Sequence, residues 1–441
     1  MRDDVVIIGG GLAGSEAAWQ AAELGVKVTL YEMRPKKETA AHKTSNLAEI
    51  VCSNSLGSAD PVSAPGILKD EMRMLNSLVM RVAEMARVPA GAALAVDRDI
   101  FAQEITRTLE GHPNIRILRE EVDALPDDAV TIIASGPLTS EALAKAIGQV
   151  TQTQHLAFFD AISPIIDADS INMDVAFRAS RYGKGGDDYV NCPMDESTYN
   201  AFYDAMMAAD KVQPKDFEKV PYFESCIPVE VMAERGRQTL LFGPLKPVGL
   251  QPPHSQERPH AVLQLRAENT YGSCFNMVGF QTKLTYPEQK RVFRMIPGLE
   301  QAEFLRYGSI HRNTFVNSPQ LLDGSLQLKS RPHTFMAGCL IGAEGYVESA
   351  ATGGLVGINA ARVLTGQGLV SPPPSTAHGA LIQYLTTSDP KHFQPMNTNF
   401  GLFPPLPMKI RDKAQKRNMI QQRAMKEFQS WKTQFELLSH T

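Results

Sequence analysis

DVVIIGGGLAGSEAAWQAAELGVKVTLYE, residues 4–32, has the pattern of a strand, a glycine-rich turn, a helix and a second strand. The apolar run before the glycines predicts the first strand, and apolar residues at helical spacing in LAGSEAAWQAAELG predict the helix. VKVTLYE predicts a second strand that ends at Glu32. Together these segments form one βαβ unit.

A glycine motif joins the first strand to the helix, with the spacing Gly9-x-Gly11-x-x-Gly14. Such glycines permit a tight turn, close approach of a pyrophosphate to the backbone and close packing of the helix on the strand. Glu32, at the end of the second strand, is placed to bind ribose hydroxyls. The alternative is a turn that only packs a helix on a strand, but the strand, helix and acid together favour a dinucleotide site. The predicted cofactor-binding residues here are Gly9, Gly10, Gly11, Leu12, Ala13, Gly14 and Glu32.

The identity of the dinucleotide depends on two further features. An acid at position 32 would repel a 2′-phosphate, which disfavours NADP and leaves FAD and NAD open. The order of strand, glycine-rich loop and helix returns at residues 333–364, HTFMAGCLIGAEGYVESAATGGLVGINAARVL. Flavoproteins of the glutathione-reductase type bring a late strand and helix back to the flavin, so this segment favours FAD. No second GxGxxG occurs, so a nicotinamide cofactor, if used, binds transiently.

The domain organisation follows from this return. We predict an α/β fold with a glutathione-reductase-type, Rossmann-like FAD-binding domain that is discontinuous in sequence. Residues 1–150 form its first part, and residues 331–441 complete it and add a basic C-terminal tail. Residues 151–330 are richer in proline, aromatic and charged segments, and we predict an inserted mixed α/β domain that faces the substrate.

Composition excludes several classes of protein. With 441 residues, 43% of them hydrophobic, the chain can bury the cores of two domains. A net charge of -4 gives no global attraction to a polyanion, so a nucleic-acid contact needs a local basic patch. The first strand breaks into glycines, and no apolar run reaches about 20 residues, so we expect neither a signal peptide nor a membrane span. Five scattered cysteines without a CxxC pair favour reduced thiols, a cytoplasmic location and no metal site.

Longer runs narrow the interpretation further. They include ETAAHKTSNLAEIVCSNSLGS (38–58), YFESCIPVEVMA (222–233) and PMNTNFGLFPPLP (395–407). From Val5 to beyond Leu406, the sequence closely resembles the TrmFO family of folate- and FAD-dependent tRNA (uracil-5-)-methyltransferases. Shorter pieces, CSNS and EGYVESAATG, also resemble the related wobble-uridine enzyme MnmG.

The resemblance implies a reaction and its partners. Enzymes of the TrmFO family take a methylene group from 5,10-methylenetetrahydrofolate, pass it through reduced FAD and deliver it to C5 of uridine 54 in the tRNA T loop. NAD(P)H supplies the electrons, and no obligate protein partner is implied. Uracil C5 is a poor nucleophile, so the reaction needs a thiolate that adds to C6 and a base that later removes the C5 proton.

Two cysteines lie in segments that match the family's catalytic motifs: Cys52 in AEIVCSNSLGS and Cys226 in YFESCIPVEV. We assign Cys226 as the nucleophile at C6 and Cys52 as the base at C5, and the reverse assignment stays open. Without the motifs, each would be read as an ordinary buried cysteine. We expect the other three to be structural: Cys192, Cys274 and Cys339.

Tyr346, in GAEGYVESAATG, matches the position where the family has an aromatic ring close to the flavin. It would stack on the isoalloxazine or on the incoming base, and a core tyrosine is the alternative. The chain departs from the family after Ala337-Gly338, where Cys339 and Leu340 stand in place of Gln and a polar residue. Polar contacts from those side chains to flavin or folate are therefore expected to be missing or replaced by backbone.

Basic segments are the candidates for tRNA contact, and a solvated helical face is the alternative for each. They are Arg235, Arg237, residues 283–294, Arg312 and the tail from Lys409. Between Lys409 and Lys432 the tail carries eight Lys or Arg against two acids, and its pattern is helical.

Three other functions compete with tRNA (uracil-5-)-methylation as interpretations of the sequence. An MnmG-like wobble-uridine modifier would need a helical tRNA-binding extension, for which we expect no room in this chain. A non-catalytic, flavin-bearing RNA-binding protein would have unreactive thiols. A disulfide reductase is disfavoured because no CxxC or CxxxxC pair adjoins the glycine motif.

Overall fold

The computed structural model describes residues 2–39, 41–151, 156–161, 163–184, 186–212, 227–253, 257–269, 272–391, 393–408 and 410–439, so Cys226 and Lys409 lie outside it. The first part contains β1 (Asp4–Ile8), α1 (Leu12–Glu23), β2 (Lys27–Tyr31), β3 (Ser55–Ser58), α2 (Ala64–Met74), α3 (Leu78–Met85), β4 (Arg87–Val88), β5 (Ala93–Val96), α4 (Arg98–Glu110), β6 (Ile115–Leu118), β7 (Val130–Ile133) and α5 (Glu141–Thr151). The middle contains β8 (Leu156–Ala161), β9 (Ile165–Asp167), β10 (Phe177–Arg178), β11 (Tyr189–Met194), α6 (Glu196–Ala208), α7 (Val229–Glu234), α8 (Thr239–Phe242), β12 (Ala261–Ala267), β13 (Cys274–Met277), α9 (Tyr286–Phe293), β14 (Phe304–Arg306) and β15 (Ile310–Phe315). The last part contains α10 (Ser318–Leu321), β16 (Thr334–Met336), α11 (Tyr346–Leu364), α12 (Ala377–Thr387) and α13 (Lys413–Ser439).

A five-stranded parallel sheet in the order β16-β7-β1-β2-β6 carries the glycine-rich turn. All five residues of the central strand β1 are buried, as a strand covered on both faces requires. The edge strand β16 comes from residues 334–336, so the sheet joins a late segment of the chain to its first part. The predicted α/β fold, Rossmann-like and discontinuous in sequence, is confirmed.

One helical prediction is wrong in detail. The pattern at residues 66–86 predicts a single helical stretch, but the structure has α2 and α3 with a break between them. Asn76 adopts a left-handed conformation with φ 55°, and the Ser77 side chain accepts a hydrogen bond from the Met80 N–H. The asparagine therefore ends one helix and the serine caps the next.

The Ser and Asn content of residues 45–58 predicts a loop around Cys52, but the segment is not wholly a loop. Its last residues form β3, which pairs with β5 in a three-stranded sheet of order β3-β5-β4. The residues before β3 are irregular, so Cys52 lies on a loop fixed at its carboxyl end by a strand.

A second sheet is built from the middle of the chain. Its six strands, in the order β10-β11-β12-β13-β9-β14, are antiparallel. α6 and α9 pack on it through Phe202 and Phe293, which belong to a separate hydrophobic core with Phe280. Within the described ranges, no helix combines the length and apolar character needed to cross a bilayer.

α1 and α11 pack backbone against backbone. A Cβ added at Gly353 would lie 2.1 Å from the Ala13 carbonyl oxygen, and one at Gly357 would lie 2.4 Å from the Ala17 carbonyl oxygen. Only glycine permits this approach. The contact holds the return segment against the first helix of the chain.

We expect Gly357→Ala to lower the free energy of unfolding by about 1–3 kcal/mol, because the added methyl group overpacks the helix contact. Gly354→Ala is the matched control, since its Cβ would meet Glu16 Cγ at an ordinary 3.4 Å. That change adds helix propensity of up to about 1 kcal/mol and should not destabilise. Urea unfolding followed by circular dichroism measures both, and equal effects would contradict the packing argument.

Candidate active site

A large cavity opens where the carboxyl ends of β1 and β7 meet the amino ends of α1 and α11. Eight of the ten predicted site residues line it, namely Gly9, Gly10, Gly11, Leu12, Ala13, Glu32, Cys52 and Tyr346. Gly14 lies behind the wall, and Cys226 is outside the described residues. The parallel sheet therefore brings most of the predicted site together at one edge, where α/β proteins bind their ligands.

The glycine turn has the shape that a pyrophosphate needs. Gly9 has φ 107°, and a Cβ at Gly14 would lie 1.8 Å from the Gly9 carbonyl oxygen, so the helix start touches the strand end. A Cβ at Gly11 would meet no described atom within 4 Å, because Gly11 faces the cavity. The first N–H groups of α1, which no side chain caps, face the same space.

Glu32 is held in its charged form at the cavity wall. Its carboxylate accepts hydrogen bonds from the Gly10 N–H at 3.0 Å and from Arg34 N and Nε at 3.0 and 2.9 Å. Burial opposes ionisation, but the hydrogen bonds and charge of Arg34 outweigh it and keep the pKa of Glu32 below its ordinary value. A carboxylate has about four acceptor positions, so one remains for a ribose hydroxyl.

α11 presents a second helix amino terminus to the cavity. Gly345 precedes it with φ 114° and makes no side-chain cap hydrogen bond, and Tyr346 and Val347 of the first turn line the cavity. Glu348 lines the cavity in the same turn and accepts a hydrogen bond from the Thr398 N–H at 3.0 Å. Burial raises the pKa of Glu348. Two helix termini and a glycine wall fit FAD, whose pyrophosphate and flavin carbonyls are acceptors.

Cys52 and Tyr346 are in direct contact. The Tyr346 hydroxyl oxygen lies 2.8 Å from Cys52 Sγ and accepts hydrogen bonds from the Cys52 and Val51 N–H groups at 2.8 and 3.0 Å. Burial, and then the nearby thiol, raise the pKa of Tyr346 well above its ordinary value, so the phenol keeps its proton. Since the backbone N–H groups use its acceptor capacity, that proton is directed at the sulfur.

The Cys52 loop is clamped by Arg98 at the start of α4. Arg98 Nη1 donates to the Ile50 and Val51 carbonyl oxygens, both at 3.0 Å. Its Nε and Nη2 donate to the Glu268 carboxylate at 2.5 and 3.2 Å. Burial would lower the pKa of Arg98, but Glu268 outweighs it and raises that pKa. The pair joins the first part of the chain to the end of β12.

A second guanidinium holds the other side of the loop. Arg266, on β12, donates to Asn54 Oδ1 at 2.9 Å and to Ser53 Oγ at 2.8 Å. Asn54 is fully buried, and its side-chain amide donates to the Val96 and Ala267 carbonyl oxygens. The residues on both sides of Cys52 are therefore fixed between α4 and the second sheet.

The chain that follows Cys226 is anchored to the cavity wall. The Val229 N–H donates to the Gln281 carbonyl oxygen at 2.7 Å, and Gln281 lines the cavity. Next to Val229, the buried Glu230 accepts hydrogen bonds from Thr282 Oγ1 and the Lys283 N–H. This anchor begins three residues after Cys226.

The remaining cysteines have different surroundings. Burial raises the pKa of Cys192 and brings that of Cys274 to about 11, and neither lines the cavity. Cys339 does line it, with Sγ 3.2 Å from Ser349 Oγ, whereas Leu340 points into the core. At the departure from the family pattern, the cavity thus has a thiol and backbone in place of two polar side chains.

Comparison with known proteins gives the family. The sequence profile described as "Glucose inhibited division protein A" matches residues 4–368. A relative from Geobacter sulfurreducens, named methylenetetrahydrofolate--tRNA-(uracil-5-)-methyltransferase TrmFO, is 58% identical over 432 residues, covering 98% of this chain and 99% of the relative. The chain belongs to the TrmFO family. A relative of the same name from Aquifex aeolicus is 53% identical over 431 residues, 98% of this chain and 97% of that one.

The fold of the TrmFO family member agrees with a solved structure of Aquifex aeolicus GidA. The TM-score is 0.70 at 17% identity, over 99% of this chain and 75% of the GidA chain. At this identity the similarity concerns the fold alone.

Several residues that line or support the site in this TrmFO family member carry no local signal in the sequence. Arg98 and Glu268 are 170 positions apart, and either alone reads as a surface charge. Lys69 sits in an amphipathic helix, yet its side chain is fully buried and Nζ donates to the Ser58 carbonyl oxygen at 2.9 Å. His42 lines the cavity, and burial, with Arg34 nearby, lowers its pKa to about 4.

We expect Arg98→Ala to lower the free energy of unfolding by about 3–5 kcal/mol, because it removes the hydrogen-bonded ion partner of the buried Glu268 carboxylate. It also frees the carbonyl groups that hold the Cys52 loop, so alkylation of Cys52 by iodoacetamide should become faster. Arg107→Ala is the control on the same helix, where an exposed pair with Glu104 is removed. We expect no measurable change in that variant, and a comparable loss in both would contradict the clamp.

Lys69 should make stability depend on pH in a defined window. Burial lowers the pKa of Lys69 from 10.5 to about 8, so between these values the unfolded chain holds a proton that the folded chain lacks. Stability of the wild type should therefore rise by up to about 3 kcal/mol from pH 8 to pH 10.5, relative to Lys69→Met. Urea unfolding across this range measures the difference, with Lys27→Met as an exposed control. If the free energy of unfolding changes with pH in the same way for wild type and Lys69→Met, the predicted effect of Lys69 is refuted.

Proposed function

We propose that this protein transfers a one-carbon unit from 5,10-methylenetetrahydrofolate, by way of reduced FAD, to C5 of uridine 54 in the tRNA T loop, giving 5-methyluridine. The observation that carries the proposal is 53–58% identity, over nearly the whole chain, to relatives named as methylenetetrahydrofolate-dependent tRNA (uracil-5-)-methyltransferases. The cavity with Cys52 at its wall supports it from the geometry.

The residues that would hold FAD are those of the two helix termini and the wall between them. The N–H groups at the start of α1 would bind the pyrophosphate, with Gly9, Gly11 and Gly14 allowing the close approach. Glu32 would accept from the ribose, and the start of α11 would face the flavin. The reduced flavin would supply the electrons and carry the one-carbon unit.

Two thiols divide the chemistry of the uracil ring. Cys226 adds to C6, which moves electron density to C5 and makes that carbon nucleophilic. After C5 has bonded the one-carbon unit, Cys52 removes the C5 proton, and the bond between that unit and its carrier breaks. Reducing equivalents from the reduced flavin would bring the transferred methylene to the methyl level, and loss of the Cys226 sulfur from C6 restores the aromatic ring. The clamp from Arg98 and Arg266 supports the role of Cys52, because a base must stay in one place relative to the substrate.

Tyr346 would both position Cys52 and border the flavin. Its hydroxyl is hydrogen-bonded to Cys52 and to the loop N–H groups, and its ring is part of the cavity wall.

Three further assignments complete the proposal. NAD(P)H is the reductant, and the cytoplasm is the compartment. The domain boundaries lie near residues 150 and 330. The inserted middle part would then face the tRNA.

The test is label transfer. Purified protein is incubated with unmodified tRNA, labelled 5,10-methylenetetrahydrofolate and NAD(P)H, and nucleosides are analysed for labelled 5-methyluridine. Cys226→Ala should abolish the product and leave the spectrum of bound flavin intact. Cys274→Ala, away from the cavity, should retain activity. Bound flavin with no labelled nucleoside from the wild type would instead favour a non-catalytic, flavin-bearing RNA-binding protein.

The roles of the two thiols are separable with tRNA that contains 5-fluorouridine. Fluorine at C5 blocks the last proton removal, so a covalent adduct accumulates on the nucleophile. We expect the adduct with wild type and with Cys52→Ala, and none with Cys226→Ala. Denaturing electrophoresis and mass spectrometry of the cross-linked peptide give the answer, and an adduct lost only in Cys52→Ala would reverse the assignment.

A further inference from the structure

Four cations cluster at the start of α13. Arg411, Lys413, Lys416 and Arg417 are all exposed, and Asp412 is the one acid among residues 410–417. Asp412 is engaged with the backbone, since its carboxylate accepts from the Gln415 N–H at 2.6 Å and its carbonyl oxygen from the Lys416 N–H. We call these four residues the cationic end of α13.

These cations differ from several other surface arginines of the protein. Exposed guanidinium groups elsewhere form ion pairs, as in Arg73–Asp70, Arg87–Glu84, Arg107–Glu104, Arg237–Asp204 and Arg291–Glu288. The cationic end of α13 forms no ion pair with any carboxylate in the part of the chain that the structure describes. It therefore carries a surplus of three positive charges, and the partial charge of the helix amino terminus has the same sign.

The rest of α13 holds this charge rigidly. Ile420, Ala424, Phe428 and Trp431 are buried on one face of the helix. Phe428 packs against His378 at the start of α12, with ring centroids 5.3 Å apart. Because the apolar face of residues 413–434 is already covered by the core, this part of the helix has no such face left to insert into a lipid surface.

The cationic end lies next to a segment that reaches the cavity. Arg417 stacks over the Phe400 ring at 5.6 Å from its centroid. Phe400 belongs to residues 395–407, where the Met396 N–H donates to the Gly342 carbonyl oxygen at 2.9 Å and the Glu344 N–H donates to the Met396 carbonyl oxygen at 3.0 Å. Asn397 of this segment lines the cavity. The charge cluster thus contacts residues 395–407 through Arg417, and backbone hydrogen bonds join that segment to the loop before α11.

We propose that the cationic end of α13 binds the phosphodiester backbone of the tRNA beside the cavity, which rests on the function proposed above. The chain as a whole has a net charge of -4, so it attracts a polyanion only through such a local surplus. Arginine and lysine on a rigid helix supply phosphate contacts without base specificity. Their place near residues 395–407 lets those contacts orient the T loop toward Cys52.

The test is tRNA binding by Lys416→Glu/Arg417→Glu across a range of salt concentrations. We expect the dissociation constant to rise about tenfold or more near 0.1 M salt, and the slope of log K against log salt to become shallower by about 2. Lys27→Glu/Lys145→Glu is the control with the same change in net charge, made at exposed lysines away from α13. Its affinity should stay within about twofold of wild type.

The outcomes separate this inference from the proposed function. If the wild type forms 5-methyluridine while both double variants bind tRNA as tightly as it does, the inference is overturned and the function stands. If the wild type forms no 5-methyluridine but only the α13 variant loses tRNA affinity, the function fails and the inference stands. Retained tRNA affinity with lost binding to anionic phospholipid vesicles would assign the surface to a membrane instead. Circular dichroism confirms that both variants are folded.

Discussion

The contact between α1 and α11 is the constraint on which the site depends. Helix backbones approach this closely only where side chains are missing, and Gly353 and Gly357 meet Ala13 and Ala17 at that distance. The contact brings residues from the start and the end of the chain to one edge of the parallel sheet. As a result, the amino termini of both helices point into one cavity and provide N–H groups for an anionic ligand.

The second determinant is the group of charges around Cys52. Arg98, Arg266 and Glu268 are largely buried, and they connect the loop to α4 and to β12. A buried ion pair adds little stability compared with an apolar replacement, because desolvation offsets the attraction. The Arg98–Glu268 ion pair serves instead to position the loop. Its hydrogen bonds fix the loop backbone, and the contact with Tyr346 fixes the Cys52 sulfur within the loop.

Much of the fold and part of the site could be predicted from the sequence. The βαβ unit, the glycine turn and the strand, loop and helix at residues 333–364 are local sequence patterns. Backbone geometry determines which residue types can occupy their turns. Family motifs predict Cys52 and Tyr346 singly, but their contact spans 294 positions and no local pattern encodes it. The same holds for Arg98 with Glu268. The break at Asn76-Ser77 did have a local signal, since asparagine favours the left-handed conformation and serine favours the helix cap.

The clamp on the Cys52 loop also bears on motion. Because the loop is bonded to α4 on one side and to β12 on the other, a hinge rotation of one sheet against the other would have to break those bonds. The thiol therefore keeps its distance from both halves of the molecule. We then expect a tRNA to reach this thiol by extruding one nucleotide into a cavity that is already open. The conformational change on binding would therefore occur in the RNA rather than in the protein.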